Sequence, residues 1–459
     1  MTRDSYVMRL HSQLGQLPSD RRKEVLEDIN RHFIEGAQEG MSEEALAERL
    51  GDPETLAREY IEAFGGERRG GVGPVEPTPT GFALEFLGRQ PYNPSWSLAM
   101  PDEPSLNIEV SSVDTRVDSY DGDTLDARFE GFRVNARDDY PRIEASCSPD
   151  GTLLVRQVNW NDGQWGGLGL LWLARPMLKG TLTVRVPKAV MLKEAVVKNS
   201  SGDIGIETLS AGQTALSASS GDITARGVAA GGTLSVRSSS GDIELERSAC
   251  ASLEAEVSSG DLTVSEVDAG RARLKSNSGG QSIKRLTAEL DVEAESSSGD
   301  IKIAEVSAGT LRVKANSGGV RMDGVNVKGI CKANTVSGSL HAKRVVCEEA
   351  RLGSSSGGIK LDEADVGSVE AGAASGSVTL RLVKAVPARV GTSSGSVSLT
   401  VPRGSGIKYS FSTASGSMRC GAEQTIEAQG RGGSRGTIGS GETPVSVSTA
   451  SGSFKLEFS

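Results

Sequence analysis

Aromatic residues make up only 4% of this 459-residue chain, and long apolar runs are missing. An interior built with so few rings must be narrow and filled by small aliphatic side chains. The most apolar stretch, Leu168 to Ala174, falls far short of the ~20 residues that span a bilayer, so no transmembrane segment is expected. The first 17 residues are polar and amphipathic, without the apolar core of a signal peptide, and the expected location is cytoplasmic. Cysteine is scarce: five residues, at 147, 250, 331, 347 and 420, with no metal or redox spacing. They read as reduced packing residues. The net charge of −10, with both signs mixed along the chain, leaves no extended basic stripe, and direct nucleic-acid binding is not expected. Only three histidines occur, with no Ser-His-Asp order, no metal-ligand cluster and no phosphate loop, so neither enzyme activity nor a cofactor is expected.

What the chain has instead is glycine, 57 residues of it, and a Ser-Gly dipeptide that returns at a nearly fixed step. Its glycines are Gly202, Gly221, Gly241, Gly260, Gly279, Gly299, Gly318, Gly338, Gly357, Gly376, Gly395, Gly416 and Gly452, spaced by 19 or 20 residues until a 21 and a final 36. A fixed period in this range marks units that cannot bury their own apolar face and must stack. Apolar residues recur seven and five before the glycine (Leu234 and Val236, Leu253 and Ala255) and two and four after it (Ile243 and Leu245, Leu262 and Val264). The alternation predicts two inward-facing strands per coil with Ser-Gly as the corner between them, and a third inward contact seven after the glycine. The expected fold is therefore mainly β: a single-stack parallel β-solenoid, or β-helix, of 19–20-residue coils. Thirteen coils stacked at about 4.8 Å would make a rod roughly 60 Å long. Glycine suits the corner through its tolerance of φ > 0 and of close backbone approach, and serine through its turn-forming hydroxyl.

Beside the glycine stands Asp in the early coils: Asp203, Asp222, Asp242 and Asp261. Carboxylates stacked one coil apart either cap backbone amides, as in an Asx-type turn, or share a cation in a calcium ladder. The nine-residue Gly-Gly-x-Gly-x-Asp unit of calcium-binding solenoids is absent. Cys331 and Cys420 fall at inward positions, whereas Cys250 and Cys347, nine after a glycine, fall near the far turn, where thiols could be accessible. Residues 422–441, with Arg431 and Arg435, read as a looped-out insertion in the last long step.

Residues 1–66 form a separate helical domain. Tyr6, Leu10 and Leu14 share one helical face; Val25, Leu26, Ile29 and Phe33 another; Ser42 and Asp52-Pro53 are helix starts, and Gly51 a stop. The run from Leu17 to Tyr60, with its Gly51-Asp52-Pro53 turn, resembles the HTH-associated α-helical signalling (HAAS) domain. That resemblance implies a protein partner, of which a PadR-like winged-helix regulator is the candidate, and no catalytic residues. Residues 67–80, rich in Gly and Pro, read as a flexible linker. Residues 81–198 read as irregular β structure and the N-terminal cap of the solenoid, with regular repeats over 199–459. Trp160, Trp165 and Trp172 lie in the cap region, either plugging the open end of the stack or forming an exposed aromatic patch. Together with Phe33 and Tyr60 they are the candidate interaction residues.

The Ser-Gly-Asp-Ile coils, preceded by Val186 to Val190, resemble the bacterial putative-adhesin family of β-strand repeat proteins over roughly 105–459. The favoured function is a non-enzymatic cytoplasmic interaction or regulatory scaffold: a helical module that docks a partner, tethered to a rigid β-solenoid surface. The alternative is an adhesin-like or self-assembling structural protein whose solenoid ends associate.

Overall fold

The structure is a computed structural model that describes residues 2–16, 22, 25–26, 29–30, 33, 42–64, 89–134, 136, 139–159, 177–430 and 432–459, without the side chains of residues 49 and 59–64. The expected linker, 67–80, lies outside the described residues. The chain divides into two compact units, one of Met1–Tyr92, Gly131–Arg142 and Val158–Lys179, the other of Asn93–Glu130, Ile143–Gln157 and Gly180–Ser459. Among the described residues no helix is long and apolar enough to cross a membrane.

In the first unit, helix α1 (Arg3–Gln13) runs into a 3-10 turn at Leu14–Gln16, and α2 (Glu43–Leu50) and α3 (Pro53–Phe64) follow. Their starts are capped as the sequence predicts. The Ser42 hydroxyl accepts from the Ala45 amide at 3.2 Å, and an Asp52 carboxylate oxygen accepts from the Thr55 amide at 3.0 Å. Gly51, at φ +82°, ends α2. Tyr6, Leu10, Ile29, Phe33 and Leu56 meet in one apolar core. Tyr6 is fully buried and donates its hydroxyl to the Leu50 carbonyl at 3.2 Å; burial, then the nearby Asp52 charge, push its pKa well above the ordinary tyrosine range.

The second unit is a parallel β-solenoid in which each strand pairs with its counterpart one coil away, for example Ile223↔Ile243, Leu245↔Val264 and Leu234↔Leu253. The inward set extends further than the expected two strands. In Ile243–Ser259 the buried positions are 243 and 245, then 248 and 250, then 253, 255 and 257, with two successive outward residues at each break. Each break resets the pleat, so a coil has three sides: a leading side just after the corner glycine, a middle side and a returning side. The second corner falls six residues after the glycine, where Thr208, Arg247, Glu266, Arg285, Glu305, Arg344 and Glu363 all take positive φ, as do Gly227 and Gly324. Non-glycine residues there carry no sequence signal of a left-handed corner, which is why the reading of two sides fell short.

The corner glycines themselves keep φ outside the left-handed region, so the expectation of φ > 0 is corrected. Their constraint is close approach alone. A Cβ on Gly318 would sit 2.1 Å from the Gly299 carbonyl oxygen, and one on Gly221 2.0 Å from that of Gly202.

Following these contacts coil by coil reveals a second departure. From Gly202 to Gly395 each glycine abuts the one before it in sequence, but Gly452 abuts Gly395, and Gly416 abuts Gly452. Strand Thr443–Thr449 accordingly lies in parallel between Ala388–Thr392 and Ile407–Thr413. The other end has the same topology: Ser105–Val110 lies between Thr152–Val158 and Leu192–Asn199. Residues 422–441 are not a simple loop-out. Thr425–Gly430 and Gly433–Ile438 form an antiparallel pair, and the latter strand also runs antiparallel along Ile407–Thr413, covering the free edge of that last coil. At the opposite end Ser95–Ala99 pairs antiparallel with 124–128.

Two substitutions separate the corners. Gly318→Ala should destabilise the solenoid by about 1–3 kcal/mol through overpacking against backbone. Arg247→Gly should stabilise it by about 0.5–1 kcal/mol, the relief of a left-handed backbone less the chain entropy of glycine. Denaturant midpoints of the two variants measure both.

Candidate functional site

The sequence pointed to aromatic candidates, and the structure places two of them. Phe33 is 2% exposed and lies edge-on to Tyr6, with ring centroids 5.7 Å apart, so in this state it packs the helical core. Tyr60 belongs to α3, but its side chain lies outside the described residues, as do Trp160, Trp165 and Trp172 altogether. The large apolar side chain that the described helical residues do expose is Met8 on α1, at 73%. A lone Met one position from the half-packed Val7 carries little sequence signal, and it was missed.

The Asp ladder is built by hydrogen bonds between coils rather than by turns within them. An Asp203 carboxylate oxygen accepts from the Asp222 amide at 3.0 Å, Asp222 from the Asp242 amide at 2.8 Å, and Asp242 from the Asp261 amide at 2.8 Å. Asp114 begins the series beneath Asp203, and Asp261 and Asp300 reach the amides of Gly280 and Gly319. The local Asx-turn reading is thereby corrected: each carboxylate caps an amide one coil away. Among the described residues no three metal-ligating side chains come together to hold an ion.

Inside the same corner, three residues before the glycine, stands a second polar series. Ser238 accepts from the Gly241 amide at 3.0 Å, Ser296 from the Gly299 amide at 3.0 Å, and Thr335 donates to the Gly318 carbonyl at 2.8 Å. These residues are 3–4% exposed, so their hydroxyls satisfy backbone groups from the buried side of the corner. Ser or Thr recurs at this position in the sequence, at 238, 276, 296, 335, 354, 392, 413 and 449, and is the signal that marks the inner series.

The cysteines sort differently from expectation. Cys250 and Cys347, expected near an accessible turn, point inward and are 9% and 7% exposed, while Cys420, expected inside, is half-buried at the terminal coil. Burial pushes the Cys250 and Cys347 thiols up to about 11 and Cys331 up to about 12. Cys147 is exposed.

Two clefts open on the solenoid. One, of about 560 Å³, runs along the serine edge of the first coils past Lys198, Arg237 and Glu256. The other, of about 480 Å³, lies where the C-terminal hairpin overhangs the returning side, and brings Glu370, Glu427, Arg389, Lys408 and Arg435 around the edge of Tyr409. Charges of both signs line this cleft together with the hydroxyls of Ser368, Ser410 and Ser446.

Against this geometry the comparisons with known proteins can be read. Residues 104–304 and 281–457 match the family model described as Toastrack DUF4097, well over half of the chain. The chain belongs to the Toastrack DUF4097 family. Residues 5–59 match the HAAS model, so the helical unit carries the second half of a two-part arrangement. No curated protein matches the chain. Among solved structures, the Toastrack chain is similar to one described as a putative cell adhesion protein from Clostridium sporogenes ATCC 15579, at 9% identity over 81% of this chain and 100% of that one, with a TM-score of 0.19. It is also similar to one described as a putative lipid binding protein from Parabacteroides distasonis ATCC 8503, at 12% identity over 80% and 96% of the two chains, with a TM-score of 0.19. At that TM-score neither likeness bears on the fold or the function.

Two measurements probe the Toastrack corners and interior. Calcium should leave the thermal midpoint unchanged, and Asp242→Ala should lower stability by about 0.5–1.5 kcal/mol, the worth of one hydrogen bond between coils. Native protein should react with a thiol reagent rapidly at Cys147, more slowly at Cys420, and at Cys250, Cys331 and Cys347 only on unfolding. The buried thiols keep their protons while unfolded thiols lose theirs above about pH 8.5, so stability should fall as pH rises from there to about 11. Replacing Cys250 and Cys347 by Ala should flatten that fall.

Proposed function

We propose that the chain is a non-catalytic, cytoplasmic interaction scaffold whose HAAS module docks a PadR-like winged-helix regulator and whose solenoid serves as a rigid surface. The carrying observation is the match of residues 5–59 to HAAS, on a helical core that closes on its own side chains. Among the described residues the apolar faces of the helices pack on one another, which leaves a partner to be met by outward side chains. Met8 supplies the apolar contact on α1, in a module whose residues 1–66 include 14 acidic and 8 basic side chains.

The non-catalytic reading is supported by where the chemistry-bearing residues fall. His341 stacks between Arg321 and Lys360 on neighbouring coils, and the carboxylates on those strands, Asp323 and Asp362, are held by Arg344 at 2.8 Å and Arg381 at 3.0 Å. Inward positions are occupied mainly by aliphatic side chains, and hydroxyls such as those of Ser238 and Thr335 are engaged by the corner backbone.

The test is a binding titration of the purified full chain against a PadR-like regulator encoded beside it. A complex is expected, with Met8→Glu weakening it at least tenfold while the helical circular-dichroism signal is unchanged. A wild-type chain that fails to bind, or a Met8→Glu chain that binds as well as wild type, would count against the docking role and its assigned face.

A further inference from the structure

The charge of the solenoid is not evenly mixed once residues are placed on coils. Residues 203–266 hold ten Asp and Glu against three Lys and Arg, and residues 302–360 hold ten Lys and Arg against four Asp and Glu. On the leading side of the later coils Lys302, Arg321, His341 and Lys360 stack in register, one per coil and all exposed. Like charges on adjacent rungs repel. Among the described residues no carboxylate pairs with Lys302, Arg321 or His341, although pairs between coils are common elsewhere, as with Arg273–Glu293 at 2.9 Å.

The leading side of the early coils carries the opposite excess. Arg226 is held by three carboxylates, Glu207 at 3.2 Å, Glu244 at 3.1 Å and Glu246 at 2.9 Å, which leaves that cluster net negative. The exposed corner carboxylates of the Asp ladder line the same edge. The two bands are centred about five coils apart, or roughly 24 Å. That is more than twice the Debye length of about 8–10 Å at physiological salt, so the bands do not neutralise each other within one chain. Between them the leading side presents the small hydroxyls of Thr263, Ser265 and Ser282, with Lys284 as the one long side chain near the middle.

We propose that this face binds a second copy of the chain, side by side and antiparallel, about a two-fold axis near the coil of Gly279. Only that arrangement sets the acidic band of each copy against the basic band of the other at both ends, and it is self-complementary, as a two-fold interface requires. A linear polyanion or an acidic protein would satisfy the basic band but be repelled by the acidic one. Growth end to end is disfavoured by the antiparallel strands that cover the terminal edges. One solenoid side about 13 Å wide over nine coils would bury roughly 1,100 Å² in total, near the ~1,000 Å² threshold for a specific interface. The dimer is therefore weak, salt-sensitive and specified by charge. It deepens the reading of the solenoid as an interaction surface and is independent of the helical module's partner.

Sedimentation of the full chain tests it. In about 0.02 M salt the wild type should dimerise at tens of micromolar, and in about 0.5 M salt it should be at least tenfold more dissociated. The triple variant Lys302→Glu, Arg321→Glu, Lys360→Glu and the double variant Glu207→Lys, Glu244→Lys should each be monomeric. Mixed one to one they should form a heterodimer, since on the leading strands the first then carries an acidic excess in both bands and the second a basic excess in both. All positions are on the solvent side, and unchanged thermal midpoints would show that the variants fold. A wild type that is monomeric at low salt, a dimer that survives high salt, or a mixture that stays monomeric overturns the proposal. So does a chain that is monomeric alone but binds added poly-glutamate, which would give the basic band to an acidic partner instead. Loss of regulator binding with the dimer intact would remove the docking role and leave this one standing.

Discussion

The whole solenoid hangs on one contact: the α-carbon of each corner glycine lies against the carbonyl of the glycine one coil away, leaving no room for a Cβ. This closeness brings the coils to strand-pairing distance at their sharpest bend, where a side chain would hold them apart. Everything else at the corner answers to it. At Gly241 a serine three residues earlier completes the hydrogen bonding from inside and an Asp beside the glycine completes it from outside. Glycine is constant along the stack, whereas hydroxyl and carboxylate alternate with Ala218, Val257 or Ala315 inside and with Gly or Ser outside.

The second corner is solved in the opposite way. There the chain turns through left-handed backbone at charged residues such as Arg247 and Glu266, accepting local strain in exchange for side chains that reach neighbouring coils, as Arg285 reaches Glu266 at 2.6 Å. A corner with space can tolerate a strained residue, whereas a corner without space needs a small one. The long outward side chains then give the surface its charge pattern, and with it a basis for choosing partners.

Much of this was legible in the sequence. The period, the inward residues at −7, −5, +2 and +4, the helix caps at Ser42 and Asp52, and the glycine requirement all follow from spacing and side-chain chemistry. What was not legible has identifiable causes. The left-handed corner is occupied by Arg and Glu, which carry no turn signature, so the middle side and the inward pointing of Cys250 and Cys347 were hidden with it. Strand order at the ends was hidden because neighbouring coils have interchangeable apolar patterns: nothing in Val445 and Val447 says that they precede Tyr409 and Phe411 in space. The basic band was hidden because Lys302, Arg321, His341 and Lys360 are 19 or 20 residues apart, with acids from other sides interleaved between them.

The exchanged order of the last coils bears on how the chain is made. Strand Ile407–Thr413 leaves the ribosome before Thr443–Thr449, yet the later strand occupies the place between it and the finished stack. The earlier strand therefore gains its native parallel neighbour only once the later one has been synthesised. Most of a solenoid can grow by simple accretion, each coil templated by the one before it. This one closes its far end only when two segments arrive together, so completion of the stack is coupled to translation of its final coil.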